Sequence, residues 1–227
     1  MLSIEETKKI AAEYALQFIE SGTTIGIGTG STIYHFIIAL AERVKGGLHI
    51  KGVATSRETE RLAKELGIDM IDLNDADTVK LTIDGADEID GKLRLIKGGG
   101  GALLQEKMVA AASDKLIIIA DRNKLVTQLG GCPLPLEIIP YGWKQTQKHI
   151  TNHFGVRSEL RSNDGKAFIS DNGHFILDCF FEKIVNAEEL STRLNNIPGV
   201  VENGLFINMA AFAIIGYESG EIRKISI

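Results

Sequence analysis

The stretch that decides the fold is residues 23–33, Thr-Thr-Ile-Gly-Ile-Gly-Thr-Gly-Ser-Thr-Ile. Its first part, Thr23–Ile27, is short and largely apolar or β-branched, which predicts a buried strand. Glycines at 28 and 30 then predict a loop, and apolar residues follow it at helical spacing: Ile33, Phe36, Ile37, Leu40 and Val44. A strand, a glycine loop and a helix together form the repeating unit of an α/β fold.

The same alternation extends on both sides of this stretch. Upstream, Ser3-x-x-Glu6 predicts a capping box that opens a helix, and downstream Thr55-x-x-Glu58 predicts another, closed by Gly67. Further apolar strands are predicted at Leu48–Val53, Met70–Leu73, Val79–Ile83 and Leu116–Ala120. Buried strands separated by helices predict a parallel sheet with helices on its faces, so residues 1–131 are expected to form a Rossmann-like α/β domain.

A second, smaller domain is predicted over residues 132–203. Its strands are separated by turns such as Asn163-Asp164-Gly165 and Asp171-Asn172-Gly173, and its elements follow the order β-α-β-β-α-β. That order is typical of a ferredoxin-like α+β domain. The strand-rich end of the chain, residues 204–227, is expected to rejoin the first domain.

Composition and charge exclude several classes of partner. The 227 residues are 44% hydrophobic and 24% charged, as in ordinary globular proteins, and 25 basic against 30 acidic residues give a net charge of −5. Without an overall positive field, we expect no nucleic acid and no membrane as partner, so an anionic ligand must bind a local site. The charged N-terminal residues, the short apolar runs and two isolated cysteines, Cys132 and Cys179, predict a cytoplasmic protein with reduced thiols.

The first candidate binding motif is Gly26-Ile27-Gly28-Thr29-Gly30-Ser31-Thr32. Ligands of an open parallel sheet bind beyond the carboxyl ends of the strands, where a loop offers backbone N–H groups and the positive end of the next helix. The motif lacks the third glycine of a dinucleotide fingerprint and the Gly-Lys-Ser/Thr of a P-loop. We predict a phosphate site; the alternative is a tight turn in which Ser31 or Thr32 merely caps the helix.

The second candidate is an acidic cluster, Asp84-Gly85-Ala86-Asp87-Glu88-Ile89-Asp90, which follows a predicted buried strand. Crowded carboxylates raise the pKa of at least one of them, which keeps an acid usable as a proton donor at neutral pH. The alternatives are a divalent-metal site, although the spacing of a calcium loop is missing, and a solvated acidic turn, which suits Glu88 and Asp90. Asp90-Gly91 also predicts a hairpin.

The third candidate is Lys97-Gly98-Gly99-Gly100-Gly101, because a mere connector rarely uses four glycines in a row. Such a backbone can wrap a ligand and donate N–H groups to it. Glu106 follows on a predicted helix among apolar neighbours, which predicts partial desolvation and a raised pKa, as suits a base. The pattern holds equally for Lys107 and does not choose between the two, and a structural pairing of Glu106 with a lysine is the alternative.

Two further features are weaker. Lys124 follows the predicted strand Leu116–Ala120, so we expect it at the same edge of the sheet, in a position to contact an anion. His149 and His153 have the i, i+4 spacing of zinc ligands, but no third ligand is evident, so we expect solvated or structurally paired histidines.

Taken together, GIGTGST, DGADEID, LIKGGGGALLQEK and IADRNK closely resemble the motifs of the type A ribose-5-phosphate isomerases, in order and in spacing. GLFINMA (204–210) is similar to that family's C-terminal segment, and the resemblance covers nearly the whole chain, least closely in 141–180. The resemblance implies interconversion of D-ribose 5-phosphate and D-ribulose 5-phosphate through an enediolate, in the non-oxidative pentose phosphate pathway. It further implies a homodimer that needs no metal and no organic cofactor.

The resemblance also implies a role for each motif. Thr29–Thr32 would bind the phosphate, and Glu106 would carry the proton between C2 and C1. Asp84 and Asp87 would act in ring opening and in proton shuttling between the two oxygens. Lys97 and the glycine amides would stabilise the enediolate. The implied substrate contacts are Thr29, Gly30, Ser31, Thr32, Asp84, Gly85, Ala86, Asp87, Lys97, Gly98, Gly99, Gly100 and Lys124.

Two alternatives from other functional classes stay open on the sequence alone. One is a binding module that senses a sugar phosphate on the same scaffold, which would usually follow a DNA-binding domain. The other is a transferase or deaminase of similar fold. An amino-sugar deaminase would normally need an additional catalytic histidine, and none of the five histidines lies in these motifs.

Overall fold

A computed structural model describes residues 1–227 of the chain, which form two compact units. The first unit contains residues 1–86, 105–125 and 209–227, and the second contains residues 87–104 and 126–208. The chain therefore leaves the first unit between Ala86 and Asp87 and returns to it between Leu104 and Gln105.

Six α-helices and fifteen β-strands make up the two units. The helices are α1 (Ile4–Ala15), α2 (Ser31–Lys45), α3 (Arg57–Glu65), α4 (Leu103–Ala111), α5 (Trp143–Phe154) and α6 (Ala187–Asn195). The strands are β1 (Thr23–Ile27), β2 (Ile50–Ala54), β3 (Leu81–Asp84), β4 (Glu88–Ile89), β5 (Leu95–Ile96), β6 (Leu116–Asp121), β7 (Leu134–Ile138), β8 (Arg157–Leu160), β9 (Ser162–Asn163), β10 (Lys166–Ala167), β11 (Phe175–Phe180), β12 (Val200–Asn203), β13 (Leu205–Phe206), β14 (Ala210–Gly216) and β15 (Ile222–Ile225). None of the helices combines the length and the apolar character that crossing a membrane requires.

A six-stranded sheet forms the centre of the first unit, in the order β15-β14-β6-β3-β1-β2. The pairs from β14 to β2 are all parallel, and only β15 runs antiparallel to its neighbour. All six residues of β6 are buried, as expected for a parallel strand that is covered on both faces. The predicted α/β fold with a parallel, helix-covered sheet is therefore confirmed.

The core of the first unit uses the residues that the sequence pattern indicated. Ile33, Phe36, Ile37 and Leu40 of α2 are buried and pack with Ile25 and Ile27 of β1 in one apolar cluster, against which Val44 packs at its edge. The helical spacing of these side chains places them on one face of α2, so the whole face can pack against the sheet.

The helix ends agree with the prediction at one position and differ at another. Ser3 and Glu6 form the predicted capping box of α1. For α3 the predicted cap was Thr55, but the N-cap is Ser56, whose Oγ accepts from the Thr59 N–H. The first helical hydrogen bond of α3 runs from the Glu60 N–H to Ser56 O at 3.0 Å, so the helix begins one residue later than predicted, and the Thr55 hydroxyl contacts Thr29 instead.

The predicted strand at Met70–Leu73 is not formed. Only Met70 makes a single parallel bridge, to Gly52, and a 3₁₀-helix covers Leu73–Asp75. The Asp72 side chain accepts from the Asn74 N–H, and this local cap favours the turn over an extended strand.

The second unit contains a four-stranded antiparallel sheet in the order β12-β7-β11-β8, with α5 and α6 in the connections. The chain order β7-α5-β8-β11-α6-β12 is the β-α-β-β-α-β arrangement, so the predicted ferredoxin-like domain is confirmed. Its core includes Leu134, Leu136, Ile150, Leu177 and Leu194, all of them fully buried.

The division into compact units differs from the predicted division in residues 87–104, 126–131 and 204–208, which lie in the second unit. Two sets of hydrogen bonds explain this. Strand β13 pairs with β5 in a three-stranded sheet of order β13-β5-β4, so residues 204–208 stay with the β4–β5 hairpin, which directly precedes Lys97. The Glu88 carboxylate accepts from the N–H groups of Gly130 and Cys132 and so ties that hairpin to the segment before β7.

Candidate active site

The carboxyl ends of the parallel strands place several predicted site residues at one edge of the sheet in the first unit. Strand β1 has β2 on one side and β3 on the other, so the chain direction through the sheet switches between β1 and β3. The segments that follow β1, β3 and β6 carry Thr29–Thr32, Gly85–Ala86 and Lys124. Ligands of open α/β sheets bind beyond such a switch point.

Gly28 and Asp84 face each other at this switch point. The Gly28 N–H donates to Ile83 O at 2.9 Å, and a Cβ at position 28 would overlap the Asp84 carboxylate. Asp84 is fully buried, and its Oδ1 accepts from the N–H groups of Thr29 at 3.2 Å and Gly85 at 2.7 Å. Gly28 is therefore needed for Asp84 to fit.

Gly28→Ala should lower the free energy of unfolding by about 1–3 kcal/mol, the usual cost of forcing extra volume into a packed site. The added Cβ would come within 2.7 Å of the Asp84 Cα, a backbone atom that cannot move away without shifting β3. Urea denaturation measures the loss. Gly91→Ala is the matched control, because a Cβ there has no heavy atom within 4 Å. Equal stability of the two variants would contradict the assigned contact.

The loop after β1 ends in an uncapped helix N-terminus. Gly30 is the N-cap of α2, with φ +118°, and no side chain caps the first turn. The alternative in which Ser31 or Thr32 caps the helix is therefore wrong, since both residues lie inside α2. Ser31 is exposed, whereas Thr32 is 8% exposed. The first-turn N–H groups of a helix without a capping side chain are suited to an anion.

The Thr29 side chain has a different environment from its two hydroxyl neighbours in the motif. Its Oγ1 lies 2.7 Å from Thr55 Oγ1, 2.8 Å from Ser56 Oγ and 3.2 Å from Thr59 Oγ1. The Thr59 hydroxyl in turn donates to Gly28 O at 2.8 Å. These hydroxyls anchor the loop to the start of α3, so Thr29 contributes a structural contact in addition to any contact with a ligand.

Sequence reasoning missed Thr55, Ser56 and Thr59 as residues that support the loop. The only available signal was the cluster of hydroxyl residues directly after β2, a strand whose carboxyl end lies beside that of β1. A helix cap at this place, as the capping-box pattern predicts, does not account for the contacts of the Thr55 and Thr59 hydroxyls with the loop.

Glu106 lies in the first turn of α4 and is 4% exposed. One turn further along the helix, Val109 packs over Gly26 of β1, where a side chain at position 26 would contact it. The helix therefore lies directly against the strand that leads to the Gly28–Thr32 loop. Lys107, which the pattern did not distinguish from Glu106, is only half-buried, so the carboxylate is the more deeply buried of the two groups.

The other acidic residues of the second motif, Asp87, Glu88 and Asp90, lie in the second unit and differ in burial and in hydrogen-bond partners. The Asp87 Oδ2 accepts from the Gly99 N–H at 2.8 Å, and Asp87 stays half-buried. Glu88 and Asp90 are 5% and 3% exposed, so the solvated-turn interpretation is wrong for both. Glu88 accepts two backbone N–H groups, and Asp90 pairs with Arg94. Strands β4 and β5 form the predicted hairpin around them.

Lys97 follows β5 and is 2% exposed. Its N–H donates to Gly204 O at 2.9 Å, and its Nζ lies 5.4 Å from the centroid of the Phe206 ring. Burial of an ammonium group is costly unless a charge or a π-face meets it, so this position indicates a specific role. The segment Gly204–Phe206, which is similar to the family's C-terminal motif, thus supports the lysine from a distant part of the chain.

The glycine loop, residues Gly98–Gly101, turns sharply after Lys97. Gly98 has φ +101°, and the Gly101 N–H donates back to Gly98 O at 2.9 Å. A Cβ at position 99 would approach the Asp87 Oδ1 to 2.7 Å, and one at position 101 would overlap the Phe168 ring. Position 99 must therefore be glycine to leave room for Asp87, and position 101 must be glycine to leave room for the Phe168 ring.

Lys124, His149 and His153 lie in surroundings that indicate no specific binding site. Lys124 is half-buried in the 3₁₀-helix Arg122–Lys124, in which the Asp121 side chain accepts from the Asn123 N–H. The His149 and His153 rings lie 5.8 Å apart, and His153 Nε2 is 3.0 Å from an Arg193 nitrogen. No group of three or more His, Cys, Asp or Glu residues is placed to hold a metal ion.

Comparison with known proteins gives consistent findings. The family model for ribose 5-phosphate isomerase A (phosphoriboisomerase A) matches residues 51–220. A ribose-5-phosphate isomerase A of Bacillus mycoides (strain KBAB4) is 56% identical over 214 residues, which cover 94% of this chain and 96% of the relative. A structure of D-ribose-5-phosphate isomerase in complex with phospho-erythronic acid matches with TM-score 0.96 and 40% identity over 100% of both chains. Ribose 5-phosphate isomerase from Plasmodium falciparum matches with TM-score 0.95 and 38% identity, covering 98% of this chain and 99% of that one.

Proposed function

This chain belongs to the ribose 5-phosphate isomerase A family and interconverts D-ribose 5-phosphate and D-ribulose 5-phosphate, and from that premise we propose the role of each site residue. The reaction is a step of the pentose phosphate pathway, and it moves a hydrogen between C2 and C1 of the open-chain sugar. The observation that carries the proposal is the burial of Glu106, 4% exposed, against the strand that leads to the Gly28–Thr32 loop.

Glu106 is the group that carries the proton. As a carboxylate it removes the proton from C2; the electron pair of that C–H bond forms the C1=C2 double bond, and the π pair of the C1=O bond moves onto O1, which gives the enediolate. Once the remaining hydroxyl proton has moved between the two oxygens, the protonated Glu106 returns its proton to C1 and the ketose forms. A single group can act in both steps because it is a base in one and an acid in the other.

Asp84 and Asp87 handle the protons on oxygen. Ring opening needs a proton donor at the ring oxygen and an acceptor at the C1 hydroxyl, and the enediolate then needs a proton moved between O1 and O2. Asp84 is held by two backbone N–H groups and Asp87 by one, so both carboxylates are oriented before substrate binds. Fixed orientation lowers the entropic cost of each transfer.

Lys97 and the amides of the glycine loop stabilise the negative charge of the enediolate. The buried ammonium is fixed over the Phe206 ring and adds no reorganisation cost when the charge develops. Lys124, in the 3₁₀-helix that follows β6, contacts the sugar or the phosphate.

Ser31 and Thr32 bind the phosphate, which does not change during the reaction. Ser31→Ala and Thr32→Val should each raise KM roughly tenfold or more, because a hydrogen bond to a charged group contributes about 1.5–3 kcal/mol. The value of kcat should change little, since the same contact exists in substrate and transition state. Steady-state kinetics with ribose 5-phosphate, with inorganic phosphate as competitor, measure both effects.

Ser21→Ala is the control for these two variants, because Ser21 is exposed and precedes β1. A fall in kcat at unchanged KM would contradict phosphate binding by this loop. So would equal turnover of ribose without its phosphate by the wild-type protein.

A sensing module and a transferase or deaminase are set aside, because the chain and its isomerase relatives match over nearly their whole lengths. The homodimer stays a prediction from the family resemblance, and the cytoplasmic location stays a prediction from the charged N-terminal residues and the isolated cysteines.

A further inference from the structure

The side chain of Arg161 connects the glycine loop to the sheet of the second unit. Its Nη1 donates to Gly98 O at 2.9 Å and to Gly99 O at 3.0 Å. Its Nε donates to Asp178 Oδ2 at 2.9 Å, and its Nη2 donates to the other oxygen of the same carboxylate. The side chain is 15% exposed and that of Asp178 is 18% exposed. One guanidinium group thus holds two successive carbonyl groups of the loop.

The two carbonyl contacts determine the direction of the next two amides. In a trans peptide the C=O of one residue and the N–H of the next point in opposite directions, and the chain contains no cis peptide bond. With the carbonyls of Gly98 and Gly99 turned toward Arg161, the N–H groups of Gly99 and Gly100 point away from it. The bond from the Gly99 N–H to Asp87 Oδ2, 2.8 Å long, identifies the side that these amides face.

A run of glycines cannot hold this arrangement by itself. Glycine has the largest backbone freedom of all residues, so an unsupported loop of this composition would sample many orientations of its amides. The backbone of Arg161 is in contrast well fixed, because its N–H donates to Ile176 O and its carbonyl accepts from the Phe168 N–H, both at 2.9 Å. The arginine therefore transfers the rigidity of the β8–β11 pairing to the loop.

We propose that Arg161, oriented by Asp178, is a positioning residue that fixes the glycine loop with its Gly99 amide on Asp87 and its Gly100 amide directed toward the enediolate. The inference rests on the proposed function, in which the loop stabilises that intermediate. A lysine cannot replace the arginine, because one ammonium group cannot reach a carboxylate in bidentate fashion and two carbonyls at once.

Arg161→Met tests the proposal. We expect kcat for ribose 5-phosphate to fall roughly 10- to 100-fold, the effect of displacing a catalytic group by about 1 Å. The inhibition constant of 4-phosphoerythronate, whose carboxylate resembles the enediolate, should rise by a similar factor. Inorganic phosphate, whose proposed contacts do not include the glycine loop, should inhibit within about twofold of wild type. Arg161→Lys should behave like Arg161→Met.

Arg157→Gln is the matched control. Arg157 lies on β8, where its side chain donates to Glu159 and lies over the Phe180 ring, so its removal should leave all three constants unchanged. If Arg161→Met does not fold, as judged by circular dichroism, Asp178→Asn tests the same orientation with an isosteric side chain and a smaller loss.

Two results would overturn the positioning role. One is an unchanged kcat in Arg161→Met, and the other is an equal loss of affinity for 4-phosphoerythronate and for inorganic phosphate. Each result is a comparison of Arg161→Met with a wild-type protein that turns over ribose 5-phosphate. An inactive wild-type protein would instead contradict the proposed function from which the inference starts.

Discussion

Glu106→Gln should lower kcat for ribose 5-phosphate by roughly 10²–10⁴-fold, the usual contribution of a positioned general base. The amide has the shape of the carboxylate but cannot accept the C2 proton at neutral pH. Substrate binding should persist, because the phosphate and sugar contacts are made by other residues. Steady-state kinetics measure kcat, and calorimetric titration with 4-phosphoerythronate measures binding independently of turnover.

Met108→Gln is the control on the same helix, because Met108 is 52% exposed on α4. It should change neither kcat nor the affinity for 4-phosphoerythronate. A near-normal kcat in Glu106→Gln would show that the buried carboxylate is structural and that the base lies elsewhere.

Lys97→Met should lower kcat by roughly 10²–10³-fold with a much smaller change in KM. The charge of the enediolate exists only around the transition state, and one preorganised donor to such a charge is worth about 3–4 kcal/mol. The methionine side chain is one heavy atom shorter than that of lysine, carries no charge and can still pack on the Phe206 ring, so a large structural change is not expected. The measurement is again kcat and KM, together with inhibition by 4-phosphoerythronate.

Lys92→Met is the matched control, because Lys92 is exposed in the turn of the same hairpin. It should leave the kinetics unchanged. If Lys97→Met raised KM at constant kcat, the lysine would be a ground-state contact of the phosphate, not the partner of the enediolate.

The fold was largely predictable because its signals are local. Strands such as β6 are buried on both faces and therefore read as continuous apolar runs, while α2 shows its buried face at a spacing of three and four residues. The predicted strand at Met70–Leu73 failed for a local reason as well, since the Asp72 side chain caps a turn there. The division of the chain into units was harder to predict, because the pairing of β13 with β5 joins segments that are far apart in sequence.

The candidate site was predictable only in part. Each motif follows a predicted strand or precedes a predicted helix, so its place at the carboxyl edge could be inferred from chain order. The environment of each side chain could not be inferred in this way. Thr29 and Ser31 look alike in the sequence, yet one is enclosed by hydroxyl groups of the α3 start and the other is exposed.

By itself, then, the sequence determined the alternation of strands and helices, the order of the motifs and the types of chemical group that they carry. Those properties depend on residue identity and on spacing along a single element. Only the tertiary structure decided which acids are structural, as for Glu88 and its partners Gly130 and Cys132, and which glycine makes room for Asp84. The contact of Arg161 with Gly99 of the glycine loop also exists only in the tertiary structure, because the two residues lie 62 positions apart in the chain. Such contacts join atoms from distant segments, so they exist only once the chain is folded.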